Sequence, residues 1–367
     1  MRSITPHLTS EFLNKGITAK NVASKEAYDV STYGELRQLI AKLSYVNKDF
    51  ILFFRGQKND YKNKFGKSSF YPSMYRGEPL TPEELKFRWA KLHSASKLLV
   101  KSFENKKLTD KTLKRKKLIQ WSILQHYEVT ETPLIDVTQS LKVACSFASL
   151  NNDSDYGYIF AFGLPYYTNR ISVNSEHYLT NIRLISIAPP EALRPYFQEG
   201  FLIGEDEFSE AYDEKSELDL NNRLIAKFRF PNNADFWGDS ERMFSKKDLY
   251  PENDPIELIC SEIKKNLFSG IDRNDAIDAE YYKEFMFKWV EIENELKHLY
   301  TTHNNKTFVA PATLIKYIKD EELQHKLNCV RKIRNNMIHN ADFKKQLPIE
   351  EVVNILSELK KYLKDNN

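Results

Sequence analysis

The residues best suited to chemistry are an arginine that ends an apolar run and an arginine–histidine pair near the C-terminus. Residues 51–56 read ILFFRG, so Arg55 follows four apolar residues and precedes Gly56. The apolar run predicts a strand, and an arginine at its end presents a planar donor fork suited to phosphate or carboxylate. Glycine allows a sharp turn or a close approach of the backbone to a ligand. The pattern fits an anion site at Arg55, but on its own the Arg-Gly dipeptide more often marks a surface arginine at a strand end.

Three later segments strengthen the first interpretation because of their order along the chain. They read FYPSMYRG at 70–77, LQHYEVTETPLIDVTQSLKVACSFA at 124–148 and RPYFQEGFLI at 194–203. Together with ILFFRG, over roughly residues 33–265, they resemble the FRG domain, which is named after its Phe-Arg-Gly motif. The positions that match this family are Gln125, His126, Tyr127, Leu134, Asp136, Thr138, Ser140, Val143, Ala144, Phe147, Ala148, Arg194, Gln198 and Gly200.

The sequence also departs from the family pattern. Glu128 stands where the family usually has glycine, and Val137 stands where it usually has tryptophan. The arginine that the family carries before its Leu-Leu-Asp is missing, since the local sequence is Glu-Thr-Pro-Leu at 131–134. A role that depends on that arginine is therefore not expected here.

The motif order is also similar to that of arginine-type ADP-ribosyltransferases. The matching elements are Arg55-Gly56, residues 136–140 with 144–148, and Gln198-Glu199, although these enzymes carry a Glu-x-Glu or Gln-x-Glu pair at the last position. The resemblance implies NAD as the substrate, with Arg55, Gln198 and Glu199 as catalytic residues. A carboxylate near the anomeric carbon stabilises an oxocarbenium-like transition state, as in glycosidases. The cofactor-binding residues implied are Arg55, Gly56, His126, Tyr127, Asp136, Thr138 and Ser140.

Several of these polar residues also have a purely structural interpretation. His126 and Tyr127 precede a Pro-Leu-Ile run and fit a core in which their polar tips find partners. Asp136 fits a brace within a turn. Thr138 and Ser140 fit the start of the helix predicted after them, because hydroxyl side chains favour helix N-caps. Both interpretations remain open at this point.

The second candidate site lies in residues 331–340, which read RKIRNNMIHN. Arg334 and His339 are separated by four residues, and Asn335 follows the arginine directly. This Arg-x4-His spacing resembles the HEPN superfamily of helical-bundle ribonucleases and nucleic-acid-associated domains. The resemblance implies a metal-independent ribonuclease site at Arg334 and His339 and a homodimer formed through the bundle. The alternative is a bundle that only dimerises.

Arg334 occupies an unusual position in the helical pattern. It falls on the apolar stripe, where burying an unpaired charge is expensive. On an ideal helix His339 would lie about 140° round from Arg334, so the two would not touch within one straight helix. A composite site therefore needs a helix end near His339 or a second protomer. The stripe consists of Leu323, Leu327, Val330 and Met337.

The elements that must position these residues change character near residues 250–275. Before that point, short runs rich in Ile, Phe and Tyr alternate with helical patterns. After it, three stripes of helical spacing predict a bundle, and no run favours a strand. The predicted fold is an α+β, ADP-ribosyltransferase-like FRG domain with small mixed sheets and an N-terminal helical extension (1–265), followed by an all-α HEPN-like bundle (273–367). The predicted strands are Phe50–Phe54, Gly157–Phe162, Ile182–Ile187 and Leu224–Phe230, and the predicted helices before the bundle include Thr81–Leu99 and Leu141–Leu150.

Composition limits the class of protein. The chain has 367 residues, of which 41% are hydrophobic and 29% charged, which excludes collagen-like, disulfide-scaffold and fully disordered classes. No apolar stretch is long enough for a membrane span, and the N-terminal residues lack a signal-peptide pattern, so we expect a cytoplasmic protein. Three widely spaced cysteines without a CxxC pair predict buried thiols and no metal site.

Two segments have biased charge within a net charge of +3. Lys101–Gln120 contains eight basic residues, and Glu205–Asp219 contains eight acidic residues. Both fit solvated faces. The alternative is a basic contact surface for nucleic acid or dinucleotide and an acidic flap near a site.

An FRG domain followed by a HEPN-like bundle resembles the architecture of bacterial defence and toxin-type proteins, and the resemblance implies an effector of this kind. In this hypothesis the FRG domain provides an ADP-ribosyltransferase-like NAD or nucleotide site, and the bundle acts as a metal-independent ribonuclease or as a dimeriser. The alternative is a non-enzymatic protein that binds a ligand or partner and is dimerised by its bundle. An enzyme predicts a cleft that gathers Arg55, Thr138, Ser140 and Gln198 or Glu199, whereas a binding module predicts that these residues are scattered or packed away.

Overall fold

The computed structural model describes residues 1–77, 80–108, 111–209, 211–212, 214–239, 241–269, 273–301, 311–339 and 347–365. They form two compact units, residues 1–264 and residues 265–367. The first unit contains all of the described strands, and the second is helical.

The first unit is built on one eight-stranded mixed sheet. Its strand order is β1-β8-β4-β2-β3-β7-β6-β5. β1 and β8 run parallel, and all other described neighbours run antiparallel. The strands are β1 (Tyr28–Asp29), β2 (Ile51–Gln57), β3 (Ile135–Thr138), β4 (Tyr156–Leu164), β5 (Ile171–Asn174), β6 (Leu179–Arg183), β7 (Gly200–Gly204) and β8 (Leu224–Pro231).

Helices alternate with the strands of this sheet in the first unit, and further helices come after the last strand. In the first unit they are α1 (Ser10–Asn14), α2 (Tyr33–Val46), α3 (Pro82–Asn105), α4 (Lys111–Arg115), α5 (Lys117–His126), α6 (Leu141–Ser149), α7 (Leu184–Ile187), α8 (Arg194–Phe197) and α9 (Lys246–Leu249). α10 (Pro255–Ser269) crosses the boundary between the units. The second unit contains α11 (Arg273–Thr301), α12 (Pro311–Ile315), α13 (Glu321–His339) and α14 (Ile349–Asp365).

Alternation along β2 divides the core between the two faces of the sheet. Leu52 and Phe54 pack on one face with residues of α2 and α6. Phe53 packs on the other face with Phe160 and other aromatic residues. Because successive side chains of a strand point to opposite faces, Arg55 continues the Phe53 row and Gly56 continues the Phe54 row.

Most of the predicted elements are present, and two predictions are wrong in part. The described strands form one eight-stranded mixed sheet, whereas small mixed sheets were predicted. Strand β6 ends at Arg183, and residues 184–187 form a helical turn instead of continuing the strand. Leu184 and Ile187 are both buried, and their spacing of three places them on one side of a turn that ends before Pro189. An apolar run of this length fits either a strand or a helical turn, so the sequence pattern misassigned it.

The second unit buries the three predicted helical stripes against one another. Phe285 and Trp289 of α11, Leu327 of α13 and Leu356 of α14 belong to one buried apolar cluster. The described residues from 265 onward include no strand. None of the helices in the described ranges combines the length and apolar character that crossing a bilayer requires.

Candidate functional site

The centre of the sheet contains a gap between β2 and β3. All seven residues of β2 pair with β4, but the ladder between the described strands β2 and β3 has the single pair Phe54–Thr138. Beyond that pair, Nη1 of Arg55 donates to the main-chain oxygen of Asp136 at 2.5 Å. The half-buried guanidinium thus bridges two strands where a ladder hydrogen bond is missing.

Arg55 keeps most of its donor capacity after making this bond. A guanidinium has five N–H donors, and among the described residues only the carbonyl of Asp136 accepts from it. Burial, followed by the charge of Arg76, lowers the pKa of Arg55 to about 10, and the charge of Asp136 acts in the opposite direction. The guanidinium therefore remains charged at neutral pH and can donate to a ligand.

Arg76 places a second positive charge near Arg55. Burial lowers its pKa, and the carboxylate of Asp136 acts in the opposite direction. Its Nε donates to the carbonyl of Tyr71 at 2.9 Å. Nη1 of Arg88 fixes the segment by donating to the carbonyls of Ser73, Met74 and Arg76 at 2.9–3.2 Å. Two guanidinium groups therefore interact with one carboxylate at the gap.

The carboxylate of Asp136 is held from behind by the end of α5. Its Oδ2 accepts from Nε2 of Gln125 at 2.7 Å, and its Oδ1 lies 3.1 Å from Nδ1 of His126. Burial raises the pKa of Asp136, but the hydrogen bonds and charge of His126, the amide of Gln125 and the charge of Arg55 outweigh it, and the pKa falls to about 2. The side chain is 38% exposed, so an ionised, oriented carboxylate reaches solvent.

His126 acts as a positioning residue for this carboxylate. Its side chain is 3% exposed, and its other ring nitrogen, Nε2, has no hydrogen-bond partner among the described residues. The ring lies against Gly200, where an added Cβ would lie 3.1 Å from Cε1 of His126. His126 is therefore packed under the sheet, with one polar atom directed at Asp136.

Gly56 has a packing role that is separate from ligand binding. A Cβ at this position would overlap the main-chain oxygen of Ala144 in α6 and lie 3.0 Å from the amide nitrogen of Ala148. The helix can pack this closely on β2 only because residue 56 has no side chain. The glycine of the Arg-Gly motif therefore supports the fold beside Arg55.

Thr138 and Ser140 connect the end of β3 to the start of α6. Thr138 Oγ1 donates to the carbonyl of Glu199 at 3.1 Å and accepts from the backbone N–H of Ser140 at 3.1 Å. Oγ of Ser140 accepts from the backbone N–H of Val143 at 3.4 Å, which makes it the N-cap of α6. Both hydroxyls bond to backbone groups, and Ser140 caps α6 as its structural interpretation predicts.

Gln198 and Glu199 are not brought to Arg55. Gln198 is buried, and its Nε2 donates to the carbonyl of Leu249 at 2.9 Å. Glu199 is exposed and adopts a left-handed backbone conformation with φ of 44° immediately before β7. No described contact joins either side chain to Arg55. The two residues predicted to be catalytic with it therefore lie outside the cluster around Asp136.

Tyr127 also points away from the gap, into a buried network. Its hydroxyl donates to Oδ2 of Asp254 at 2.7 Å, and the backbone N–H groups of residues 193 and 194 donate to the same oxygen. Burial, followed by the bond to Asp254, raises the pKa of Tyr127. Asp254 in turn accepts from the backbone N–H of Ile256 at 2.9 Å, at the start of α10. The network is structural.

Arg194 explains the departure from the family pattern at residue 128. Its guanidinium is 8% exposed and donates to Oε1 of Glu128 at 2.7 Å and to Oε2 of Glu257 at 3.3 Å. Glu128 follows the end of α5 with φ of 54°, a conformation that favours glycine. Here the strained backbone carries a carboxylate that pairs with Arg194.

The second candidate site is described only in part. Arg334 is half-buried on the face of α13 that carries Leu327 and Val330, as the stripe predicts. α13 is described as far as His339. The side chain of His339 lies outside the described residues.

Two members of the cluster, Gln125 and Arg76, are absent from the predicted site. The signal for Arg76 was available in the sequence, because Arg76-Gly77 repeats the Arg-Gly dipeptide of Arg55-Gly56. Gln125 directly precedes His126, so its place beside Asp136 follows from the α5 that carries both. Among the described residues, no group of three or more His, Cys, Asp or Glu side chains is arranged to hold a metal ion.

The chain was compared with curated proteins, solved structures and protein-family models. No curated protein and no solved structure matches the chain. Residues 51–156 match the family model of the FRG domain, and this segment contains Arg55, Gly56, Arg76 and Asp136. An FRG domain is therefore present in this part of the chain.

Proposed function

We propose that the FRG domain binds an anionic nucleotide, with NAD as the representative ligand, through Arg55. The observation that supports this most strongly is the half-buried guanidinium held by the main-chain oxygen of Asp136, with its remaining donors unused by the described residues. A fixed arginine of this kind loses little conformational entropy when it binds a phosphate. Arg76 adds a second positive charge for a pyrophosphate.

Asp136 allows the proposed site to recognise hydroxyl groups of the ligand in addition to its phosphates. A carboxylate accepts hydrogen bonds from hydroxyl groups, and Gln125 and His126 hold this one ionised and oriented. In the proposed complex Arg55 and Arg76 bind the phosphates, and Asp136 accepts hydrogen bonds from the ribose hydroxyls. A ligand with both groups should therefore bind better than inorganic phosphate.

ADP-ribosyl transfer is the catalytic form of this proposal. In that reaction the bond between C1′ of the ribose and nicotinamide breaks, nicotinamide leaves with the electron pair, and an acceptor nucleophile bonds to C1′ and loses its proton. Glu199 has an exposed side-chain carboxylate. Its main-chain oxygen accepts a hydrogen bond from Thr138, and it directly precedes β7, the strand that pairs with the Asp136 strand β3. The buried Gln198 and the capping Ser140 favour the second candidate function, which is nucleotide binding without transfer.

We further propose that the helical unit dimerises the protein and, if it is catalytic, cleaves RNA without metal through Arg334 and His339. The Arg-x4-His spacing of Arg334 and His339, in a helix of a bundle with a buried apolar cluster, supports this assignment. A nucleotide-binding domain joined to such a bundle fits a defence or toxin-type effector, in which one unit controls the other.

The test is to incubate the full-length protein with labelled NAD, total cellular RNA and total cellular protein. Transfer predicts label on a macromolecule, and ribonuclease activity predicts RNA fragments. Loss of labelling in Arg55→Ala, with RNA cleavage retained, would assign transfer to the FRG domain. Saturable NAD binding without labelling would identify the domain as a binding module, and absence of NAD binding would contradict the proposal.

A further inference from the structure

A continuous set of exposed cations lies on the first unit at the end of α3, in α4 and at the start of α5. We call it the basic ridge. All of its members are exposed, and residues 97–117 contain only Glu104 and Asp110 as acidic residues. The ridge consists of Lys97, Lys101, Lys106, Lys107, Lys111, Lys114, Arg115, Lys116 and Lys117.

Buried apolar residues fix the ridge to the body of the unit. Phe103, Leu113 and Ile119 are each at most 4% exposed and anchor the three helices. Gln120 donates to the carbonyl of Leu113 at 2.7 Å, which ties α4 to α5. Nζ of Lys114 lies 2.7 Å from Glu104, which places α4 beside the end of α3. The cations therefore belong to one folded surface.

The positive charge of the ridge is poorly compensated by the protein itself. Lys106 pairs with Glu262 at 4.0 Å and Lys114 pairs with Glu104, but the other seven cations form no ion pair with a described residue. Like charges four residues apart, such as Lys97 with Lys101, destabilise a helix. This arrangement costs stability and is relieved when anions bind.

The start of α5 adds to this excess. Lys116 is the N-cap residue and has no side-chain capping bond, and Lys117 follows it in a first turn without acidic residues. The N-terminus of a helix carries partial positive charge, so cations there are unfavourable without an anionic partner. The lysine side chains and the partial positive charge at the N-terminus of α5 therefore both favour binding of an anion at this surface.

The surroundings of the cations identify the class of anion. Within the described part of residues 97–117 no large hydrophobic residue is exposed. Protein interfaces usually have an aromatic or apolar centre, and helices that lie on membranes insert apolar side chains. The ridge has neither an apolar centre nor exposed apolar side chains that could insert into a membrane. Binding of single-stranded nucleic acid by base stacking would need exposed aromatic rings, which the ridge also lacks. Exposed cations on a folded surface without apolar side chains fit a ligand that presents a regular, rigid array of phosphates.

We propose that the basic ridge binds the phosphate backbone of duplex nucleic acid without sequence preference. From Lys97 to Lys106 the ridge runs about 13 Å along α3, a length over which a duplex presents roughly eight negative charges. The ridge shares no residue with the nucleotide site proposed at Arg55, and the proposal does not depend on that site.

The test measures binding of full-length protein to labelled 20-base-pair duplexes of RNA and of DNA, each in two unrelated sequences, over a series of salt concentrations. The test variant is Lys101→Gln/Lys111→Gln/Lys116→Gln/Lys117→Gln, which removes four charges and keeps good helix formers. The control variant removes four exposed charges elsewhere on the first unit: Lys20→Gln/Lys25→Gln/Lys48→Gln/Lys246→Gln. Thermal unfolding verifies that both variants fold.

We expect wild type and control to bind both sequences equally, and the ridge variant to bind at least about tenfold more weakly at 0.1 M salt. The slope of log K against log salt should fall by about 3 to 4 in the ridge variant. The RNA and DNA arms show which duplex is preferred. Equal losses in both variants, or binding of the wild type to anionic vesicles but to neither duplex, would overturn the proposal.

Discussion

Gly56 of β2 lies directly against the main-chain oxygen of Ala144 in α6, with no room for a side chain between them. Its neighbour Arg55 points to the opposite face and bonds to the carbonyl of Asp136. The two residues of the Arg-Gly motif therefore have different tasks. Glycine allows α6 to pack on the sheet, and arginine presents charge at the gap between β2 and β3.

The first prediction follows from the packing of Gly56. Gly56→Ala should lower the free energy of unfolding by about 1–3 kcal/mol, because the overlapping atoms belong to a helix backbone that cannot rotate away. Chemical denaturation measures this directly. The control is Gly34→Ala in α2, where the nearest atom would be 3.9 Å away and alanine should be neutral or stabilising by up to about 1 kcal/mol. Equal stability of the two variants would refute the packing role.

The second prediction concerns the pH dependence of stability at Asp136. Its pKa in the folded protein is about 2, below the usual value of 3.8, so its stabilisation is complete above about pH 4 and is lost as the pH falls toward 2. Because the side chain is partly exposed, we expect a contribution of about 1 kcal/mol. Between pH 4 and pH 2, the wild type should therefore lose more stability than Asp136→Asn. Parallel pH profiles would contradict the network with His126 and Gln125.

The third prediction separates Tyr127 from the nucleotide site. Tyr127→Phe removes one hydrogen bond to Asp254 and should lower stability by about 1 kcal/mol while leaving nucleotide affinity unchanged. Tyr45→Phe, at a side chain 70% exposed, is the control and should change neither property. If Tyr127→Phe instead weakens NAD binding at unchanged stability, the sequence-based assignment of Tyr127 as a ligand residue is correct.

The fourth prediction concerns the helical unit. Full-length protein should sediment as a dimer at micromolar concentration, and any RNA cleavage should persist in EDTA and leave 2′,3′-cyclic phosphate ends. Cleavage should disappear in Arg334→Ala and in His339→Ala, because histidine moves protons near neutral pH and arginine binds phosphate. Lys332→Ala, at an exposed position of α13, should be active. Cleavage that needs magnesium, or a monomeric protein, would contradict the assignment.

The sequence predicted the main elements because their patterns are local. The apolar runs of β2, β4 and β8 and the apolar stripes of α13 and α14 each appear within a short window. The run Ile182–Ile187 was predicted to be one strand, but it ends a strand at Arg183 and continues as a helical turn. The buried positions of Leu184 and Ile187 fit either structure. That ambiguity is resolved by packing, which the local pattern does not contain.

The site was harder to predict, because it depends on contacts between distant segments. The sequence indicated Arg55, Asp136 and His126 as candidate site residues, but it did not indicate that Arg55 would bond to a carbonyl 81 residues away or that Arg76 would lie near it. It also grouped Gln198 with Arg55 by motif order, whereas the side chain of Gln198 turns to the carbonyl of Leu249. Motif order places residues along the chain without fixing the direction of their side chains.

The most direct test of the central claim is calorimetric titration of the full-length protein with NAD and with ADP-ribose. We expect the wild type to bind and Arg55→Ala to bind at least about tenfold more weakly, since a charge-assisted hydrogen bond contributes about 1.5–3 kcal/mol. Arg183→Ala, at an exposed arginine that ends β6, is the matched control and should bind as the wild type does. Wild-type affinity in a folded Arg55→Ala variant would contradict the assignment of Arg55 as the anchor of a nucleotide site.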